Sequence, residues 1–490
     1  MDPQSTVGVY PRITPPLIRS DEADAILTHI EDSLDMRERL GIHRIWQEIE
    51  QNILVRPSAN GMPNFTRYGS SASHAYFQAP PSQAGFSILK DPESHQINET
   101  LTAQGLQILL GPPDYLTAAP RGWDDPEKAR MLARMLMAVL DQPGNYGTLY
   151  RSFKDSFGYG ISYLQVGYAE MSRMQVVQVP MLDETGQPAL NPETGMPVMS
   201  YEPRPVMYRQ GPRIDVIDHY DIYPDPNGTR IHVDMEMLVK RFRVSPAMAM
   251  DLAEAGVYDM EATKRALSKH GDGRSSSAAP HGDERFQSFA ENRGANRNIV
   301  YGFEAYGRLP VRYPDGASNR MVTMLNGEIV RSHINPYMDG EIPILEVVVN
   351  PMTGRHYGYS PLEAVRYLQD STDSMLMTLT DAADKMVRPS LLIGNFGGDI
   401  NQVRRRDGDI LCRDPKMIAA MPTDFNAITV AQSEMARRKQ SMREASGATN
   451  PMQAIPSSDR ATATEISTLT QFASNRIDVM VRLIERDNMP

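Results

Sequence analysis

Residues 357–388 read YGYSPLEAVRYLQDSTDSMLMTLTDAADKMVR, and Pro389 follows at once. Ser360 is an N-cap residue type and Pro361 suits the first helical position, so a helix is predicted from Pro361. Glu363 sits near the positive helix start and Lys385 and Arg388 near the negative end, which favours the same assignment. Leu362, Val365, Leu368, Leu376, Leu379, Ala383 and Met386 recur as one apolar stripe. Asp370, Asp373, Asp381 and Asp384 fall on the remaining face, expected to meet water or a neighbouring subunit. At ~1.5 Å per residue such a helix is about 42 Å long.

Pro389 ends the helix. Beyond it, Leu391–Ile393 begins a β-like insert broken by Gly394, Gly397 and Gly398. Arg404, Arg405 and Arg406 then precede an Asp407-Gly408 turn, and Ile410–Cys412 reads as a second strand. Asp424 is placed to cap another helix. Its inward set is Ile428, Val430, Ala431, Met435 and Met442, with Arg437, Arg438, Lys439 and Arg443 elsewhere. Pro451 and Pro456 prevent residues 447–460 from continuing it. A last helix carries Ile466, Leu469, Phe472, Ala473, Ile477, Met480, Val481 and Ile484 as its stripe. The order is helix, small insert, helix, loop, helix, which points to a shape-forming protein rather than a catalytic pocket.

Upstream, the Pro-rich residues 1–20 read as an extended arm, and helical spacing starts at Asp21 with Ser20 as cap. Gly41 separates it from a second helix containing Ile42, Ile45, Trp46 and Ile49. Residues 55–80 read as loop. Helices are expected from Pro126 to Leu140 and from Tyr146 to Phe157, then a strand over 160–168 extended by Val176, Val177 and Val179. The near-repeat at 183–197 reads as a hairpin extension or loop insert, and residues 214–223 as a strand ending in the turn YPDPNG. Ser245-Pro246 opens a short helix, and residues 271–298 read as a flexible linker. Strands follow near 299–304, 321–325, 329–333 and 344–349, with Asn326-Gly327 as a hairpin turn. The fold class is therefore α+β.

With 490 residues, the chain exceeds one ordinary core. Its 41% hydrophobic and 23% charged content is that of a globular chain, and no run approaches the length of a membrane span. A single cysteine, Cys412, precludes an intrachain disulfide. A net charge of −11 argues against a surface that grips nucleic acid throughout, because such binding requires counterion release by Lys and Arg. It is compatible with a surface that nucleic acid must pass without sticking. The 31 methionines fit either adaptable interfaces or core filling.

The chain resembles the portal, or head-to-tail connecting, proteins of tailed bacteriophages. The resemblance rests on Phe157-Gly-Tyr-Gly160 with the strand after it, the stretch DIYPDPNG at 221–228, Gly358-Tyr-Ser-Pro361 and Ala461-Thr-Ala-Thr-Glu465, in that order. It implies a wing at 1–355, a first stem helix at 356–388, a clip at 389–423, a second stem helix at 424–445, a tunnel loop at 446–460 and a long helix towards a crown at 461–490. That helix stops after about 30 residues, so the crown is expected to be absent or truncated. The resemblance further implies a homododecamer at one capsid vertex, contacting major capsid and scaffolding proteins. Double-stranded DNA would pass without sequence specificity. The terminase large subunit would dock first, and head-tail adaptor or tail proteins later. Neither a cofactor nor a membrane is implied.

Within that frame the small, polar loop residues Ser446, Gly447, Ala448, Thr449, Asn450 and Gln453 are the candidates for a constriction around DNA; an ordinary helix connector is the alternative. Arg437, Arg438, Lys439 and Arg443 either steer the duplex as basic rings or form subunit salt bridges, with Asp370, Asp373, Asp381 and Asp384 the expected partners. Arg404–Arg406 are candidates for clip docking. An adaptor or internal head protein is the second reading, and a metal-dependent hydrolase a remote one. There is no Gly-Lys-Ser/Thr phosphate loop, no HExxH pair and no Cys partner for zinc. Asp225, Asn227 and Gly228 lack the ligand spacing of a calcium loop and read as a turn.

Overall fold

The computed structural model describes residues 19–55, 89–111, 116–118, 120, 126–142, 144–180, 199–271, 300–313, 315–337, 340–387, 391–393, 418–420, 425–448 and 475–484. Residues 1–18 of the expected arm, the expected insert at 183–197, most of the expected linker at 271–298 and Arg404–Arg406 lie outside these residues, as does Cys412; Arg19 and Ser20 are helical.

The fold is mixed α+β. Helices α1 (Arg19–Arg39) and α2 (Ile42–Ile53) are separated by Gly41, whose φ of 67° is left-handed and suits glycine. Ser20 lies inside α1 rather than capping it. Helix α3 (Glu93–Leu110) has no counterpart among the sequence-based expectations; α4 (Pro126–Leu140) and α5 (Asn145–Tyr159) fall where expected. Strands β1 (Ile161–Pro180) and β2 (Met199–Ile217) form an antiparallel ribbon running from Tyr163↔Ile217 to Pro180↔Met199, so residues 181–198 join its two strands. The expected single strand over 214–223 is interrupted by a 3-10 turn at His219–Asp221, where the Asp218 carboxylate accepts from Tyr220 N.

A five-stranded antiparallel sheet follows, ordered β3-β4-β5-β6-β7. Its strands are β3 (Ile222–Tyr223), β4 (Met237–Val244), β5 (Val300–Arg308), β6 (Asn319–Leu325) and β7 (Glu328–Ile334). Asn326 and Gly327 both have positive φ, as the tight hairpin between β6 and β7 requires. Side-chain alternation divides the sheet. Val239, Phe303, Ala305, Val322 and Met324 pack on Ala23, Ile26 and Ile30 of α1. Val300, Leu325 and Val330 pack on α6 (Pro246–Glu254) and α7 (Met260–Gly271). Ser245 caps α6 by accepting from Met248 N.

Strand β8 (Ile344–Val348) pairs with the start of β1, and the chain then enters α8 (Pro361–Val387). Strands β9 (Leu391–Ile393) and β10 (Ile418–Ala420) pair antiparallel before α9 (Phe425–Ser446). The partner of Leu391–Ile393 is thus Ile418–Ala420; the expected partner at Ile410–Cys412 lies outside the described residues. Residues 475–484 are helical, and Ile477, Met480, Val481 and Ile484 of the expected stripe are all buried. They join Ile97, Leu101, Phe153, Phe157, Leu362, Val365 and Met442 in one core cluster. This cluster is where three helices of the C-terminal third are fixed to the rest of the chain.

Candidate functional site: helices α8 and α9 and their anchor

The start of α8 is built against the end of α5. Ser360 Oγ lies 2.7 Å from Phe157 O and 2.6 Å from Gly158 O, and accepts from Leu362 N at 3.0 Å. Trp46 Nε1 donates to Tyr159 O at 3.1 Å. Gly160 has a φ of 86°, and a Cβ there would stand 2.4 Å from Gly358 O. A Cβ on Gly358 would meet Val349 O at 2.2 Å and Gly160 O at 2.5 Å. Two short motifs about 200 residues apart, FGYG and GYSP, are therefore halves of one junction that admits no side chain at either glycine.

Beyond the junction α8 changes character. Leu362, Val365, Gln369, Thr372 and Asp373 are buried. From Ser374 onward no side chain whose burial is described is buried, and Ala383 and Asp384 are exposed. The distal stripe of Leu376, Leu379, Ala383 and Met386 is thus only half-covered, mainly by α9. Val430, expected to face inward on α9, is 65% exposed. Among the described residues no element covers these faces.

Asp373 departs from the expected water-facing row: it is 6% exposed. Its Oδ1 accepts from Asp91 N at 2.9 Å and Gln369 Nε2 at 2.8 Å. Burial raises its pKa to about 6, against the lowering effect of the Asp91 amide. Burial also raises Asp370 and lowers Lys90 from their ordinary values. Asp381 and Asp384 lie on the less covered distal half.

The four basic residues of α9 do not take those aspartates as their described partners. Arg443 forms a two-pronged pair with Glu93, Nε to Oε1 at 2.6 Å and Nη2 to Oε2 at 2.9 Å. Lys439 Nζ lies 2.5 Å from Asp91 Oδ2. Arg438 binds the Ser371 hydroxyl and carbonyl and pairs with Glu434 at 3.4 Å. Arg437, with a side chain 72% exposed, pairs with Glu434 at 2.7 Å. Hydrogen bonds from Arg437 hold the Glu434 carboxyl down to about 2. Arg443 and Lys439 accordingly tie α9 to the entry of α3, while Arg438 ties it to α8. Sequence spacing could not reveal this, because Asp91 and Glu93 are about 350 residues away.

Of the loop candidates, Ser446 and Ala448 are fully buried and Gly447 has a left-handed φ of 88°. All three are buried where the chain leaves α9, and Ala448 joins the core cluster. Thr449, Asn450 and Gln453 lie outside the described residues. In the DIYPDPNG stretch, Asp225 accepts from Asn227 N and Glu236 N, so its carboxylate serves the turn. Among the described residues no cluster of His, Cys, Asp or Glu could hold a metal, and no helix is long and apolar enough to cross a membrane.

A family model described as phage SU10 portal protein matches residues 94–485. The chain belongs to this phage portal family. The match runs from the start of α3, through the FGYG–GYSP junction and helices α8 and α9, to the end of the last described helix. No curated protein matches the chain. As a portal-family member it is a structural protein of the bacteriophage virion associated with DNA packaging.

Proposed function

We propose that this chain is the repeating subunit of a closed ring, a dodecamer, at one capsid vertex. Its central passage admits DNA during packaging and releases it at ejection. The observation that carries the reading is α8 in a portal-family chain: anchored at one end and, with α9, left half-covered along the other. Neighbouring subunits in a ring would cover those faces.

The net charge of −11 per chain, repeated around the ring, disfavours adhesion of phosphate to the passage. Among the basic stem candidates, Arg437 is the best placed to meet DNA, because it pairs only within its own helix turn and its side chain is exposed, whereas Arg438, Lys439 and Arg443 are more covered and tied to α8 or to the entry of α3. The loop role falls to Thr449, Asn450 and Gln453. The segment at 389–423, with Arg404–Arg406, is the proposed docking face for the terminase large subunit and then for adaptor or tail proteins; the wing at 1–355 would meet capsid and scaffolding proteins.

Electron microscopy of the purified chain tests the ring directly. Annular particles with a central hole are expected; only monomers or solid particles across salt and concentration would overturn it. Deleting residues 450–456 should leave rings intact and lower the yield of packaged genome. A normal yield would remove the loop from the mechanism.

A further inference from the structure

Helix α4 carries an exposed apolar ridge. Met131, Leu132, Met135 and Leu136 are 65%, 53%, 57% and 44% exposed, and their spacing places them on one face. Ala133 is the buried residue of this helix, on another side. Four large apolar side chains together on a surface helix mark an interaction site.

The same chain carries an open groove of about 580 Å³ between α8 and α9. Met375, Leu379, Ala382, Ile428 and Ala431 give it an apolar floor, Arg44, Glu48 and Arg438 also border it, and no residue of α4 does. Asp370 stands at its α2 end with no hydrogen bond or ion pair among the described residues; Lys90 and Arg366 act on it only at longer range. On α4, Arg130 and Arg134 are exposed and likewise unpaired among the described residues. Arg134 flanks the ridge, one turn from Met131.

We propose that the α4 ridge of one copy seats in the α8–α9 groove of the next copy, with Arg134 meeting Asp370. Ridge and groove are different surfaces, so the contact is head-to-tail and repeats around a closed ring. An unpaired half-buried acid in an apolar groove and an unpaired exposed guanidinium beside an apolar ridge are complementary in sign and in surroundings. The inference rests on the ring reading above and adds to it a specific pair of surfaces.

The test uses the full chain in a Cys412→Ser background. Leu132→Cys and Leu379→Cys are made separately, mixed before assembly, and oxidised. A covalent dimer is expected in the mixture and in neither variant alone. Microscopy of the same samples reports rings independently, so failure of the ring reading and failure of this contact are distinguishable. Intact mixed rings without the dimer would overturn the proposal. As a second arm, Asp370→Arg should lower the ring fraction at least tenfold, and adding Arg134→Asp should restore it. A double variant whose subunits keep the native circular dichroism and melting temperature but remain as deficient as Asp370→Arg would overturn it as well.

Discussion

The two halves of α8 obey different rules. Residues 361–373 are fixed by contacts gathered from the whole chain: Phe157 and Gly158 at the cap, Asp91 at Asp373, Ser94 at Gln369. Residues 374–387 meet mainly α9 and bury no described side chain. Their composition does not separate them, since both halves carry apolar and acidic residues in helical alternation. What separates them is the supply of partners: the described residues complete the first half, and in the proposed ring neighbouring subunits would complete the second. A chain that holds its fold before assembly and then joins the proposed ring would gain from this division.

The largest effect is expected at the junction. Gly358→Ala places a Cβ against two carbonyl oxygens, so stability of the free subunit should fall by about 3 kcal/mol or more. Urea unfolding reads this, and a loss under 1 kcal/mol would mean the junction yields. Next is the tie between α9 and α3. Arg443→Met strands the nearly buried Glu93 carboxylate, with an expected loss of about 2–4 kcal/mol. Restoring most of it by adding Glu93→Gln would locate the cost in the orphaned charge.

The halves can then be compared with matched truncations. Val365→Ala should cost the free subunit about 2 kcal/mol, whereas Leu379→Ala should cost under about 1 kcal/mol and act mainly on ring formation. Equal losses in the subunit would erase the distinction.

The smallest effect is at Asp373. Its folded pKa of about 6 lies above the ordinary carboxylate value, so the folded chain binds the proton more tightly. Its contribution is fully present below pH 4 and is lost as pH rises towards 6 and beyond. Asp373→Asn keeps an acceptor for the Asp91 amide and removes the charge. It should raise stability at pH 7.5 by on the order of 1 kcal/mol and flatten the pH profile between 4 and 6. An unchanged profile would assign that pH dependence to other groups.

Much of this frame was legible in the sequence because its signals are local. Ser360-Pro361, Ser245-Pro246, Gly41 and Asn326-Gly327 each carry their own geometry, and the corresponding elements appear where expected. Helix α3 was not read because buried Asn98 and Thr102 interrupt its apolar pattern: Thr102 Oγ1 bonds back to Asn98 O, a satisfaction no periodicity records. The site was less legible for a related reason. Asp373 and Arg443 look like surface charges on amphipathic helices until residues 91–93 are folded against them. Charge sign can be read from a helix; which distant segment consumes it cannot.

In the proposed ring α8 is anchored by its first half and assembled by its second. Hydrogen–deuterium exchange of the free subunit and of the assembled ring tests this directly, resolved over 361–373 and 374–387. Assembly should slow exchange over 374–387 at least tenfold and change 361–373 little. Equal slowing in both halves, or none over 374–387, would contradict the account.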